Sequence, residues 1–293
     1  MKTTLSDTTL ATNRTYGTAE TTPQFTSAEM LCGVVSNDWV NDEYKHLILE
    51  APELALTAKP GQFFHLKCPK TGGKQPYLRR PMSIYRVCGS KRSIEFLYKV
   101  QGLGTTSLAS LTPGQQLDIF GPVGQGFNLP TTKNNHVLIV ARGVGLATMA
   151  PLAETAVKRG NDVTAILSAR TQKLIMSSDY LRAIGANVIE VNDQDGSSDV
   201  KKIEDLIRLK NTKNPIDYMA TCGSNRLLTL TRHLSSEWQI KSEVAVEQLM
   251  GCALGMCFAC VKPFIDPKNS QNTIYRRVCW DGPVFQTQET VSW

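Results

Sequence analysis

Long hydrophobic runs are absent: no stretch approaches the roughly 18–20 consecutive apolar residues that span a bilayer. The opening MKTTLSDTTLATNRTYGTAETT is threonine-rich and has no continuous apolar segment, which argues against a secretory signal. Residues 1–27 read as a disordered leader rather than a transit peptide. Charge is sparse too, at 20% of the chain, and the net excess of +6 is scattered. The basic doublets at 79–80, 201–202 and 276–277 make no stripe, which argues against nucleic acid as a partner. Histidine is scarce, and the four in the chain form no constellation suited to acid–base chemistry. With neither membrane span nor export signal, the expected location is cytoplasmic. Eight cysteines there point to reduced thiols, metal ligands or redox chemistry rather than disulfides.

What is present divides the chain by texture. With 293 residues and 41% apolar content it can bury a substantial core and is long enough for about two domains. Over residues 28–133, MLCGVVSNDWV, YKHLILEAPEL, GQFFHLKCP, RRPMSIYRVCG, SIEFLYKVQG and GQQLDIFGPVG each suit one strand. Pro-Gly and Gly-Gly turns separate them, which predicts a small antiparallel β-barrel. One short helical stretch is expected there, at TTSLASL. Over residues 134–240, compact apolar strands (HVLIVA, DVTAILSA, NVIEV, IDYMATCG) alternate with helix-period segments. That alternation predicts a doubly wound parallel α/β domain. Residues 241–293 lose the alternation and read as a small C-terminal lobe. The expected class is therefore β plus α/β with that lobe.

The lobe holds the densest chemistry. MGCALGMCFACVKPF and RRVCWDGPVF carry Cys252, Cys257, Cys260 and Cys279, in the order C-x4-C-x2-C with a distant fourth. This is the order of plant-type [2Fe-2S] sites. Gly251, Gly255, Ala253 and Ala259 let the backbone approach inorganic sulfide. A structural zinc site is the alternative, although zinc favours two short cysteine pairs and Cys279 stands alone.

A one-electron cluster needs a donor and an acceptor. In LRRPMSIY, Arg80 and Ser83, with Pro81 and Met82 between them, suit a flavin pyrophosphate and isoalloxazine edge. In QGLGTTSL, Gly102 and Gly104 precede Thr105 and Thr106 at a helix start that can face phosphate. A surface turn and an ordinary helix cap are the plainer readings of each piece. In HVLIVARGVGLATMAPL, Gly143 and Gly145 sit at a strand-to-helix turn suited to a dinucleotide, or required for tight packing alone. Cys222 and Gly223 end the fourth α/β strand, where ligands bind in parallel sheets; the plainer reading of Cys222 is a small buried hydrophobe.

In this order, RRPMSIY, GLGTTSL, FGPVGQGF, the GVG turn, TCGS and EQLMGCALGMCFAC…RRVCWDGPVF resemble the electron-transfer subunits of class 1B dihydroorotate dehydrogenases, within the ferredoxin–NADP reductase superfamily. The resemblance spans about residues 28–286 and includes Glu247, at a position the family usually fills with Glu. It implies FAD on the barrel, NAD(H) or NADP(H) on the α/β domain and a [2Fe-2S] cluster in the lobe. Arg80, Pro81, Met82 and Ser83 would contact the flavin, and Gly102, Gly104, Thr105 and Thr106 its phosphates. Gly143 and Gly145 would take the nucleotide. Cys222 and Gly223 would lie at the nicotinamide, with Cys222 in the catalytic place. Cys252, Cys257, Cys260 and Cys279 would ligate iron. Where the family has consecutive glycines, this chain has Ala141-Arg142, and Arg142 would either pair with the nucleotide's charge or block its site.

The expected activity is that of an oxidoreductase passing electrons between nucleotide, FAD, cluster and a partner. That partner would be an FMN-containing catalytic subunit of dihydroorotate dehydrogenase type, joined in a hetero-oligomer. Met256, Phe258, Phe264, Trp280 and Phe285 are candidates for the dry contact. The alternatives are a ferredoxin reductase-like subunit of a hydrogenase or flavin-bifurcating complex and, further off, a zinc-stabilised binding module.

Overall fold

The first half of the chain alternates short apolar strands with turn residues, and they pair as one curled antiparallel sheet. In the computed structural model, which describes residues 26–73 and 76–291, this sheet has seven strands. They are β1 (Ala28–Trp39), β2 (Tyr44–Glu50), β3 (Phe63–Leu66), β4 (Arg80–Ser83), β5 (Arg86–Cys88), β6 (Ser93–Lys99) and β7 (Gln116–Val123). Helix α1 (Glu53–Leu56) follows β2, and α2 (Gly102–Ala109) follows β6. The order β4-β3-β7-β1-β2-β6-β5 puts two strands that are neighbours in the chain at opposite edges, so the sheet wraps around one core. Phe64 and Phe96 meet edge to face inside it, 5.9 Å between centroids. The leader expected to be disordered lies, except for its last two residues, outside the described residues.

RRPMSIYRVCG, expected as one strand, is two. The break falls at Ile84-Tyr85, both buried, because Ile84 packs into the barrel core and Tyr85 into the core of the next layer. Two consecutive side chains drawn to different cores cannot continue one strand. The Tyr85 hydroxyl meets Ser177 Oγ at 2.7 Å. Helix α2 also begins earlier than TTSLASL suggested, at Gly102.

The second sheet is built from β8 (His136–Arg142), β9 (Asp162–Ala169), β10 (Asn187–Asn192), β11 (Tyr218–Cys222) and β12 (Lys241–Ala245). Helices α3 (Gly145–Lys158), α4 (Ser178–Ala183), α5 (Val200–Lys213) and α6 (Asn225–Trp238) connect them. The order β10-β9-β8-β11-β12 reverses direction at β8, and all five strands are parallel. One face packs against α3 and the barrel, the other against α5 and α6. Local signals support the helices: Asp199 caps α5 by accepting the N–H groups of Lys201 (2.9 Å) and Lys202 (3.3 Å), while Ile203 and Ile207 bury its inner face. Such a cap contributes about 1 kcal/mol.

The regularity was expected to end at residue 240, and here the structure differs. β12 is a fifth parallel strand, and β15 (Val284–Gln286) returns antiparallel beside it. The buried Val244 and Ala245 supply the apolar contact that extends the sheet. Between these strands lies the cysteine lobe, with the hairpin β13 (Val261–Asp266) and β14 (Asn269–Arg277) and the single turn α7 (Val278–Asp281). Its apolar interior joins Phe63 and Val123 of the barrel to Leu228 and Val244 of the α/β layer. The fully buried Glu243 adds a polar tie, accepting from the Asn128 N–H (2.9 Å), Tyr218 and Gln286 (3.2 Å). Among the described residues, no helix is long and apolar enough to cross a membrane.

Candidate functional site

A cleft of about 510 Å³ opens where barrel, α/β sheet and lobe meet. The barrel wall is β4 and β6, with Arg80, Pro81, Met82 and Ser83 all facing it. Of the arginine pair, only Arg80 is committed here. Arg79 turns back to Asp118 on β7 with paired contacts of 2.9 and 3.0 Å, and ties the sheet. Arg80 packs flat on Gly104, where an added Cβ would stand 2.6 Å from its Nε. Its Nη1 donates to the Leu78 carbonyl at 2.5 Å.

Gly102 adopts φ +69 at the turn into α2, and an added Cβ there meets nothing within 4 Å. Thr105 lines the cleft, yet its hydroxyl is engaged by Gln101, accepting that N–H at 2.7 Å and donating to its carbonyl. Thr106 is exposed and lies outside the cleft lining. The N-cap side chain of α2, that of Gln101, makes no capping bond, which leaves the first-turn N–H groups without a side-chain cap.

The second wall is the start of α3 (Val144, Ala147, Thr148), and the third is Val246–Met250. A smaller cleft of about 250 Å³ shares Val144 and Glu247 with the first. It lies at the carboxyl ends of β8, β9 and β11, around the point where strand order reverses, which is where ligands bind in such sheets. Gly143 (φ +55) and Gly223 line it. Gly145 lines neither cleft: an added Cβ would stand 2.6 Å from the Cys222 carbonyl, so this glycine lets α3 pack against the end of β11. Gly223 does similar work, since a Cβ would fall 2.1 Å from the Arg142 carbonyl oxygen.

Cys222, given the catalytic place by resemblance, lines neither cleft and is 1% exposed. Burial pushes its thiol pKa well up and the Glu247 carboxylate adds to this, outweighing hydrogen bonds from Thr148 and the Gly223 N–H. The thiol is therefore neutral at physiological pH. Arg142 neither blocks the smaller cleft nor points freely into it. Asp193 holds it through two contacts (3.0 and 2.6 Å), and Ser168 accepts a third at 2.8 Å. The Arg142 hydrogen bonds, followed by that of Ser198, keep the Asp193 carboxyl below the ordinary range. Asp193 escaped the sequence reading because only the fold brings the β10 end within reach of the β8 end, across β9. Glu247 had been noted for its position alone. It faces solvent within the cleft but is enclosed by protein on the other sides, and that burial raises its carboxyl pKa.

The four lobe cysteines come together as two pairs, Cys252 with Cys257 and Cys260 with Cys279, and Cys252 is also felt at Cys279. Partial burial opposes ionisation of Cys252, but the N–H groups of Cys257, Leu254 and Met256 overcome it and bring the thiol to about 7. Cys279 is pushed up to about 12 by burial and the adjacent Cys260 thiol, with the Gly255 N–H opposing. The Cys279 N–H donates to Cys260 Sγ at 3.4 Å. Ala253, Gly255 and Phe258 all take positive φ, and a Cβ on Gly251 would stand 3.0 Å from Cys257 Sγ. This is a loop bent so that its N–H groups face sulfur.

Among the described residues, no three His, Cys, Asp or Glu side chains converge as on a single metal ion. Two thiol pairs instead suit a two-iron centre, and the donor set fits [2Fe-2S]. The iron–sulfur cluster binding domain of dihydroorotate dehydrogenase B matches residues 247–291. Over 79% of this chain and 86% of the relative, it is 33% identical to the dihydroorotate dehydrogenase B (NAD(+)) electron transfer subunit of Geobacillus sp. (strain WCH70). The chain belongs to this family. Within it, the corresponding subunit of Desulforamulus reducens is 30% identical over 84% of this chain and 92% of its own length. The fold of this family member is that of the ferredoxin–NADP reductases. An NADH-dependent reduced ferredoxin–NADP oxidoreductase structure superposes with a TM-score of 0.74 at 23% identity, covering 90% of each chain. The ferredoxin–NADP+ reductase of Plasmodium falciparum gives 0.57 at 15% identity over 74% of this chain and 96% of that one.

Of the five lobe side chains expected to make a dry contact, Met256, Phe258 and Trp280 are exposed. Phe264 and Phe285 are not available, because they pack on each other at 4.3 Å in the interior.

Proposed function

We propose that this chain is the cytoplasmic electron-transfer subunit of a dihydroorotate dehydrogenase B, holding FAD in the larger cleft, NAD(H) in the smaller one and [2Fe-2S] on the cysteine loop. One observation carries the reading. The segment Val246–Met250 walls the larger cleft and runs directly into Gly251 and Cys252, so the flavin wall and the cluster loop are one piece of backbone. Bound FAD would supply two-electron exchange with a nicotinamide, and the cluster one-electron transfer to a partner.

The chain's own groups bind and orient. Arg80, fixed on Gly104, offers its charge to the flavin pyrophosphate beside the open end of α2. Pro81, Met82 and Ser83 present the β4 edge to the ring, while Thr105, on the turn that Gly102 opens, borders the phosphates. Val144 and Glu247, shared by both clefts, mark where nicotinamide and flavin rings would meet. Gly143 leaves room for the nucleotide, with Gly145, Gly223 and Cys222 holding the turns behind it. The neutral Cys222 thiol adds no charge there. Cys252, Cys257, Cys260 and Cys279 ligate iron. The exposed Met256, Phe258 and Trp280 surround the loop and suit a desolvated contact with an FMN-containing catalytic subunit in a hetero-oligomer.

Anaerobically purified protein is expected to release FAD on denaturation and to contain about two iron and two acid-labile sulfides per chain, the content of this cluster type. The Cys257→Ser chain should lose iron and keep FAD, because the two sites use different residues. About one zinc per chain would establish the binding-module alternative instead. Pull-down should recover an FMN-containing chain; recovery of a hydrogenase or ferredoxin partner would favour the reductase alternative. Alone, the chain should reduce dyes with NADH and leave orotate unchanged, since in this reading the orotate site belongs to the FMN-containing partner.

A further inference from the structure

Arg277 closes β14 two residues before Cys279, and its guanidinium is unusually well fixed for a partly exposed side chain. Nε and Nη2 donate to Asp281 at 3.2 and 3.1 Å, and the Arg277 backbone N–H reaches the same carboxylate at 2.8 Å. Nη1 turns the other way and donates to the Gly255 carbonyl at 3.4 Å, with the Phe258 ring 5.9 Å from the guanidinium. Gly255 adopts φ +73, and an added Cβ would stand 3.2 Å from Arg277 Nη1 and 3.1 Å from Trp280. Gly255 lies in the loop between Cys252 and Cys257, so Arg277 grips the segment that carries two of the ligands. Its charge lies close enough to interact with Cys279 first and Cys260 second. No chemistry described so far uses this cation.

Reduction of an iron–sulfur cluster adds one negative charge, and a fixed cation beside the ligands stabilises the reduced form more than the oxidised one. Anchoring the Gly255 carbonyl also steadies the loop in which the Leu254 N–H donates to Cys252 Sγ at 3.3 Å, a second lever in the same direction. Asp281 opposes the first effect while fixing the geometry. We infer that Arg277 sets the reduction potential of the [2Fe-2S] cluster, holding it high at the Cys260–Cys279 side, with Asp281 as the counterweight. The inference rests on the cluster reading above. Arg277 is a positioning and potential-tuning residue, and the plainer possibility is that it only clasps the loop.

A redox titration followed by electron paramagnetic resonance on the purified full chain distinguishes the two. Arg277→Gln should lower the midpoint by roughly a tenfold change in the one-electron equilibrium, about 59 mV. Arg277→Lys keeps the charge and should recover most of that loss. Asp281→Asn keeps an acceptor for the arginine, removes the opposing charge and should raise the midpoint by a smaller amount, since both groups are partly exposed and screened. An iron-loaded Arg277→Gln protein with an unchanged or raised midpoint would overturn the inference, as would a Lys variant that falls as far as the Gln variant. If Arg277→Gln retains no iron, Asp281→Asn decides alone, and an unchanged or lowered midpoint rejects the tuning role. Failure of the underlying cluster reading would show earlier and separately, as wild-type protein without iron and sulfide.

Discussion

Two glycine turns in this protein use the same residue for opposite purposes. At the barrel turn, Gly102 has positive φ but open space where a Cβ would be, and the helix end beyond it faces solvent. At the α/β turn, Gly145 and Gly223 are needed because backbone lies against them, at 2.6 and 2.1 Å from where a Cβ would sit. The first glycine serves the conformation of an open turn; the second pair serves the packing that shapes a cleft from behind. A glycine motif therefore marks a tight place in a chain without saying whether a ligand or the protein itself fills it.

The widest separation should come from substituting both turns. Gly223→Ala forces a side chain into the Arg142 carbonyl at φ +90 and should destabilise the fold by on the order of 3 kcal/mol or more, read by urea unfolding. Gly102→Ala meets no neighbour and should cost only the about 1–2 kcal/mol of a left-handed backbone. Equal losses at the two turns would break the comparison.

Next in size is Arg80→Ala. It should weaken FAD binding by about 1.5–3 kcal/mol, the range for a hydrogen bond to a charged group, in a flavin fluorescence titration. Unfolding in FAD-free protein should shift far less. Arg79→Ala should do the reverse, because that guanidinium joins β4 to Asp118 rather than facing the cleft.

The smallest effect is expected at Arg142. Its charge is already matched by Asp193, so Arg142→Gly should change the Michaelis constant for NADH by less than about tenfold, where an unpartnered phosphate contact would be worth about 1.5–3 kcal/mol. Stopped-flow flavin reduction measures it. The pair has a pH signature. Asp193 is held below its unfolded pKa, so its contribution is present above the ordinary carboxylate range and fades as acid protonates the folded form. At this exposed position it should amount to less than about 1 kcal/mol.

Legibility followed the distance over which each feature is decided. Period-2 and period-3.6 patterns separate a barrel half from an α/β half within windows of a few residues, and Asp199 caps its helix from within one turn. Arg80 was distinguishable from Arg79 only by its place before Pro81 and Ser83, and the ion pair to Asp118 explains the division of labour. The strand break at Ile84-Tyr85 and the addition of β12 and β15 to the second sheet were not legible. Short apolar strings such as Val244–Val246 do not say which sheet edge will take them.

By itself, the sequence determined the order of the elements and the clustering of four thiols on one loop and the helical turn that closes the following hairpin. Both depend on residues close in the chain, whose reach is limited by backbone geometry. The tertiary structure alone decided that Arg142 meets Asp193 and that Glu243 joins the linker to β11 and β15. It also decided that Arg277 stands over Gly255, and that the wall of one cleft continues into the cysteine loop. Those contacts join residues distant in the chain, and they exist because two cores and a lobe bury their apolar faces against one another. Burial of that kind is non-directional and leaves no local pattern to read.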